Sequence, residues 1–206
     1  MLEKLLTLHD RSVFYVRDTK PAVFYLADKE GGGVLINTPV WHEAIYRELQ
    51  REAPLNYIFY PSRFGAQCTD IWRAKTGAKT IAYGEEAAAI KETIDIILER
   101  EHRFSRTMDF LPMSGRTRAS CALRCKNKPG IVFFGPILDY GPSGWPTIIP
   151  HDDDYSFENR LIGALGLQDV KFEYAFADDF APGECYYGPG ADAAIRSEIS
   201  NLIETI

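Results

Sequence analysis

Four histidines, His9, His42, His102 and His151, are scattered along the 206-residue chain. None stands at the HxH or HExxH spacing by which neighbouring imidazoles share one metal ion. The densest acidic stretch is His151-Asp152-Asp153-Asp154. Adjacent loop carboxylates suit a hard cation bound through oxygen, and the same run suits a solvated turn that caps a following helix. Asp178-Asp179 is a second carboxylate pair with no histidine beside it, a weak donor set for zinc. Cys68, Cys121, Cys125 and Cys185 form no CxxC pair and read as reduced thiols of a cytoplasmic protein. Cys68 is the one with a chemical reading, because a helix N-terminus and the nearby Arg63 would both lower a thiol pKa. The competing reading is an inert, buried thiol. Ser62 and Ser114 fall on loops, without a GxSxG elbow. Ser114-Gly115-Arg116-Thr117 lacks the GxxxxGK[ST] pattern of a phosphate loop. The remaining chemistry is cationic: Arg63, Arg116 and Arg118 carry planar forks that match carboxylate or phosphate.

Two runs of elements must position these residues. Ser12–Val16, Ala22–Ala27 and Val34–Ile36 are aromatic and β-branched strands separated by Asp18-Thr19-Lys20-Pro21 and by Gly31-Gly32-Gly33, an antiparallel opening. The period then changes. Trp41, Ile45 and Leu49 place one apolar face on a helix over Trp41–Glu52. The strand Tyr57–Tyr60 follows, then a helix over Cys68–Thr76 with Ile71 and Trp72 as core anchors and Gly77 as its stop. A strand over Lys79–Ala82 and a helix over Glu85–Lys91 complete an alternation that implies parallel pairing. The second half repeats the order. Its expected strands are Asp109–Met113, Ser120–Cys125 and Gly130–Phe134, with Lys126–Pro129 as a hairpin turn, and a Pro/Gly-rich loop runs from Gly135 to Pro150. A helix over Tyr155–Leu165 has Asp154 as cap and Glu158 in the box position. The strand Phe172–Ala177 and a terminal helix over Ala191–Ile206, striped by Ile195, Ile199, Leu202 and Ile206, close the chain. The aromatic loop Gly183–Pro189 reads as packing for that helix or as an interface patch.

Composition sets the outer limits. Hydrophobic residues are 46% and charged residues 25%, an ordinary globular balance. With 23 basic and 29 acidic residues the net charge is −6, which speaks against nucleic acid and anionic membrane as partners. No apolar run approaches the roughly 20 residues needed to span a bilayer. Met1–Leu6 lacks the order of a signal peptide. The 206 residues are expected to form a single domain built from two halves, about 1–90 and 105–206.

Several stretches together resemble the metallo-β-lactamase fold superfamily. Gly31–Thr38 is similar to that family's glycine, apolar strand and Asp-Thr segment, with Asn37 in the acidic position. Tyr57–Gln67 resembles its strand and metal-binding loop, and Cys68–Thr76 with Gly77–Tyr83 its next helix and strand. Met113–Ser120 and Ile131–Pro136 continue the likeness, which spans about Ser12 to Phe180. The resemblance implies a four-layer αβ/βα sandwich of two mixed sheets flanked by helices. It also implies a loop of pattern HxHxDH, and here this chain departs from the family. The four ligand positions are Ser62, Phe64, Ala66 and Gln67. The next ligand position is Arg116, the bridging aspartate position is Pro136, and the last falls at Asp178 or Asp179. Phe, Ala and Pro offer no side-chain donor, and arginine is a fixed cation.

The expectation is therefore a degenerate member of that superfamily without its zinc, in a binding, scaffold or regulatory role. A hydrolase with a divergent or metal-independent site near Ser62, Arg116 and Asp178 is the enzymatic alternative. A third reading is an anion-binding module built on Arg63, Arg116 and Arg118, opposed by an ion pair between Arg116 and Asp178 or Asp179. A second copy of the chain, a protein partner or a small anionic ligand are the partners left open.

Overall fold

The computed structural model describes residues 1–99 and 104–205, so His102 and Ile206 lie outside the described residues. Among the described residues thirteen strands and five α-helices follow one another as β1 (Leu2–Thr7), β2 (Arg11–Val16), β3 (Val23–Asp28), β4 (Gly32–Ile36), α1 (Glu43–Glu52), β5 (Leu55–Tyr60), α2 (Thr69–Thr76), β6 (Lys79–Tyr83), α3 (Gly84–Ala89), β7 (Ile96–Leu98), β8 (Met108–Pro112), β9 (Cys121–Cys125), β10 (Ile131–Gly135), β11 (Asp139–Tyr140), β12 (Pro146–Thr147), α4 (Phe157–Leu165), β13 (Tyr174–Ala177) and α5 (Ala191–Thr205). They divide into two compact units, Met1–Leu98 and Glu99–Ile206.

In the first unit β1 to β7 lie side by side in sequence order. β1 to β4 pair antiparallel, and β4 to β7 pair parallel. The switch falls where α1 first interposes a helix, since parallel neighbours need a crossover. Alternate residues Phe14 and Val16, Val23, Tyr25 and Ala27, Leu35, Ile58 and Tyr60 share one core with Leu49 of α1, Trp72 of α2 and Ala87 of α3. That period of two is the strand half of an amphipathic match.

In the second unit a four-stranded sheet runs β13-β10-β9-β8. The β8–β9 and β9–β10 pairs are antiparallel and β10–β13 is parallel. Val132, Phe134, Ala122 and Ala175 pack with Ala164 of α4 and with Ala191, Ile195 and Ile199 of α5.

The differences from the sequence reading are local and each has a physical cause. β1 has no counterpart among the strands expected from the sequence. It is an edge strand whose register shifts between Lys4 and Leu6, and edge strands carry charges that blur the apolar pattern. Ile71 is no core anchor: it is 49% exposed, whereas Trp72 is fully buried with its indole N–H donated to the Pro39 carbonyl at 2.8 Å. Ser156, not Asp154, caps α4, its Oγ accepting from the Asn159 N–H. Asp154 is engaged elsewhere, as described below. The stretch read as a loop from Gly135 to Pro150 contains the β11–β12 ribbon. Tyr187 of the aromatic loop stacks on Phe176 at 5.2 Å, and Tyr186 stands 59% exposed beside Trp145.

Candidate functional site

The loop that follows β5 is held by backbone geometry. Ser62 is buried, and its hydroxyl accepts from the Phe64 N–H at 3.3 Å, opening a 3-10 turn over Arg63–Gly65. The Gly65 carbonyl accepts twice from Thr38, from its N–H at 2.9 Å and its hydroxyl at 3.0 Å. A Cβ at Gly65 would overlap the Asn37 amide, so only glycine allows this approach. Asn37 has a left-handed φ of 63° and donates its side-chain amide to the Ala22 carbonyl at 2.9 Å. Thr69 ties the far end, donating to the Ala66 carbonyl at 2.9 Å.

Arg63 does not present an open fork. Its Nη2 meets Glu86 Oε1 at 2.8 Å, its Nε meets Oε2 at 3.0 Å, and its backbone N–H donates to Oε2 at 2.8 Å. The Glu86 side chain is fully buried, and the paired carboxylate holds the guanidinium pKa up. Glu86 was missed in the sequence. The signal was a second acid in the otherwise alanine-rich Gly84–Ala89 helix.

Gln67 and Cys68 lie together on a cleft of about 380 Å³, whose other walls are the β2–β3 turn and the segment from β4 to α1. Arg17, Asp18 and Lys20 come from the turn, and Pro39, Trp41 and His42 from the segment. The Trp41 ring meets the Trp72 ring edge-on at 4.7 Å. His42 caps α1, its Nδ1 accepting from the Ala44 N–H at 3.2 Å. That contact assigns the imidazole proton to Nε2. The cleft lies beyond the carboxyl ends of β4 and β5, the usual ligand end of parallel strands.

The second unit carries a different polar centre. Arg160 is buried on α4 and donates to Asp139 and Asp154, each at 2.8 Å, and to the carbonyls of Ile137 and Ile149. His151 Nε2 lies 3.1 Å from Asp139. Arg116 meets Asp153 at 2.9 Å and Asp154 at 3.5 Å. The Arg116 guanidinium holds the Asp153 carboxyl below its ordinary range. Arg118 is exposed, its guanidinium 6.0 Å from the Tyr155 ring. Pro136 is buried just past β10, and Asp178 follows β13 and donates its N–H to the Gly135 carbonyl at 2.9 Å. Pro136 and Asp178 therefore stand at the same end of a parallel pair. Asp179 accepts from the Tyr140 N–H at 2.8 Å. Arg160 was legible as a cation on the buried stripe of α4, four residues before Ala164.

These residues do not fit zinc. Ser62 spends its hydroxyl on the turn, Phe64, Ala66 and Pro136 have no donor, and Arg116 is a paired cation. Among the described residues no group of three His, Cys, Asp or Glu side chains has a metal-binding arrangement. The cysteines are free, Cys121 and Cys125 buried and Cys68 and Cys185 partly so. No helix among the described residues is long and apolar enough to cross a membrane.

No family model and no curated protein matches the sequence. Solved structures do. The chain is similar to a metallo-β-lactamase from Pontibacter korlensis, at 14% identity over 99% of this chain and 98% of that one, with a TM-score of 0.73. It is similar to a Cronobacter sakazakii metallo-β-lactamase described by its HARLDQ motif, at 13% identity over 98% and 96%, with a TM-score of 0.67. The native FEZ-1 metallo-β-lactamase from Legionella gormanii aligns at 12% identity over 100% and 98%, with a TM-score of 0.61. The chain has the metallo-β-lactamase fold, with two mixed sheets and flanking helices, as the resemblance implied.

Proposed function

We propose that this chain uses the metallo-β-lactamase fold without its zinc, as a cytoplasmic, non-catalytic binding protein. The carrying observation is the set of side chains at the family's ligand positions, where Phe64, Ala66 and Pro136 supply no donor and Arg116 is ion-paired. Without a bound metal there is no low-pKa water to act as nucleophile. The HARLDQ motif of the Cronobacter protein keeps a histidine and an aspartate. The six residues Ser62–Gln67 share only its final glutamine and hold neither. An anion module on the three arginines has less support, because Glu86 engages the fork of Arg63 and Asp153 engages Arg116.

Metal analysis of the full chain, purified in the presence of zinc and passed over a sizing column, tests this reading. The expected result is far less than one equivalent of zinc, with hydrolysis of a chromogenic cephalosporin, a thioester and a phosphodiester all at background. Stoichiometric zinc together with turnover that a chelator abolishes would overturn it.

A further inference from the structure

We infer that the cleft between the β2–β3 turn and the start of α1 binds a small organic anion carried on a flat apolar body, with Trp41 as its wall, Lys20 as its counter-charge and His42 Nε2–H as a donor. The inference rests on the binding role proposed above and names the ligand class. The volume of about 380 Å³ suits a small molecule.

Its apolar side is rigid. Trp72 is fully buried and pinned to the Pro39 carbonyl, and it supports the Trp41 ring edge-on. Tyr46 supports Trp41 from another side at 5.7 Å. A wall fixed in this way loses little side-chain freedom when a flat ligand packs on it. Val40 stands 80% exposed at the rim, apolar surface that a ligand would take out of water.

The polar side consists mainly of donors. Lys20 is exposed on the turn. His42 Nδ1 is occupied by the helix cap, which leaves Nε2–H to donate. Gln67 contributes an amide. Arg17 is paired through its Nε with Glu3 at 2.7 Å, so the two together add no net charge. Asp18 is the one carboxylate in the lining. The formal charges of Lys20 and Asp18 offset each other, so the preference for an anion rests on the donors that line the one cleft, the Lys20 ammonium, the His42 Nε2–H and the Gln67 amide. The site differs from the arginine set read in the sequence because Lys20 and His42 are separated from Gln67 by long stretches of chain and meet it only through the fold.

The probe is 1-naphthylacetate, with 1-naphthyl phosphate as the second anion, 1-naphthalenemethanol as the uncharged analogue and acetate as the anion without a ring. Calorimetric titration of the full chain should show both naphthyl anions binding at one site, the alcohol at least about fivefold weaker, and acetate not at all. Lys20→Gln alters an exposed turn residue and should weaken both anions about fivefold while leaving the alcohol unchanged. Amide shifts in NMR spectra should map to the β2–β3 turn and the α1 start. No binding of either anion at millimolar concentration, equal affinity for the alcohol, or anion binding indifferent to Lys20→Gln would each overturn the inference. The zinc and turnover assays are separate, so this proposal can fail while the non-catalytic reading stands.

Discussion

The two units handle their polar groups in opposite ways. In the first unit the loop after β5 is secured by backbone contacts and one ion pair, and a cleft stays open beside it, floored by tryptophan and edged by donors. In the second unit the charged groups are gathered into one paired cluster around buried Arg160. Arg160 bridges Asp139 and Asp154, Arg116 reaches Asp153, and His151 leans on Asp139. A buried charge must be paired, so the second cluster is committed to structure, whereas the first unit keeps unspent donors at its surface. Arginine count alone therefore misjudges where an anion can bind. What matters is whether each fork already faces a carboxylate.

The sharpest way to break this contrast is Arg160→Met. It removes the buried cation shared by Asp139 and Asp154, leaving them only His151 and Arg116, and denaturant unfolding should show a loss approaching about 3 kcal/mol. A change below about 1 kcal/mol would mean that the cluster is dispensable. Glu86→Gln in the first unit should cost less, about 1–2 kcal/mol by the same measurement, because Arg63 is 40% exposed and can turn to water. Arg116→Ala should cost less than either, since one of its two carboxylate partners, Asp153, is 69% exposed. It should leave naphthylacetate affinity unchanged. Loss of that affinity would move the anion site to the second unit.

A pH titration sharpens the same comparison. Arg73 grips Asp95 at 2.6 Å, and Thr80 adds two further bonds, which together hold the Asp95 carboxyl well below its ordinary range. A carboxyl lowered in the folded state stabilises the protein above its unfolded pKa of about 3.9, and that contribution fades as the pH falls below it. Asp95→Asn should therefore destabilise at neutral pH, with the gap from the parent protein narrowing below about pH 4. A gap constant across that range would remove Asp95 from the acid response.

Much of the fold was legible because its signals are local. The period-two strands, the Gly77 stop at φ 72° and the change to βα alternation after Ile36 could all be read from the chain. β1 and the cap of α4 were hidden for different reasons. One is an edge strand broken by charge, and the other lost its nearest acid to Arg160. The missing zinc donors were visible as residue types at Ser62–Gln67. The partners Glu86 and Asp153 were not, because an ion pair between distant residues leaves no periodic trace. The Lys20–His42–Gln67 wall was hidden for the same reason, since only the mixed sheet, antiparallel from β2 to β4 and parallel from β4 to β5, brings those segments to one end.

The Thr38 grip on the Gly65 carbonyl also bears on redesign. The contour of that loop is fixed by bonds from Thr38, Ser62 and Thr69, so the exposed side chain at Gln67 can be exchanged as on a rigid display platform. A library grafted there would explore new surfaces without first having to solve the loop.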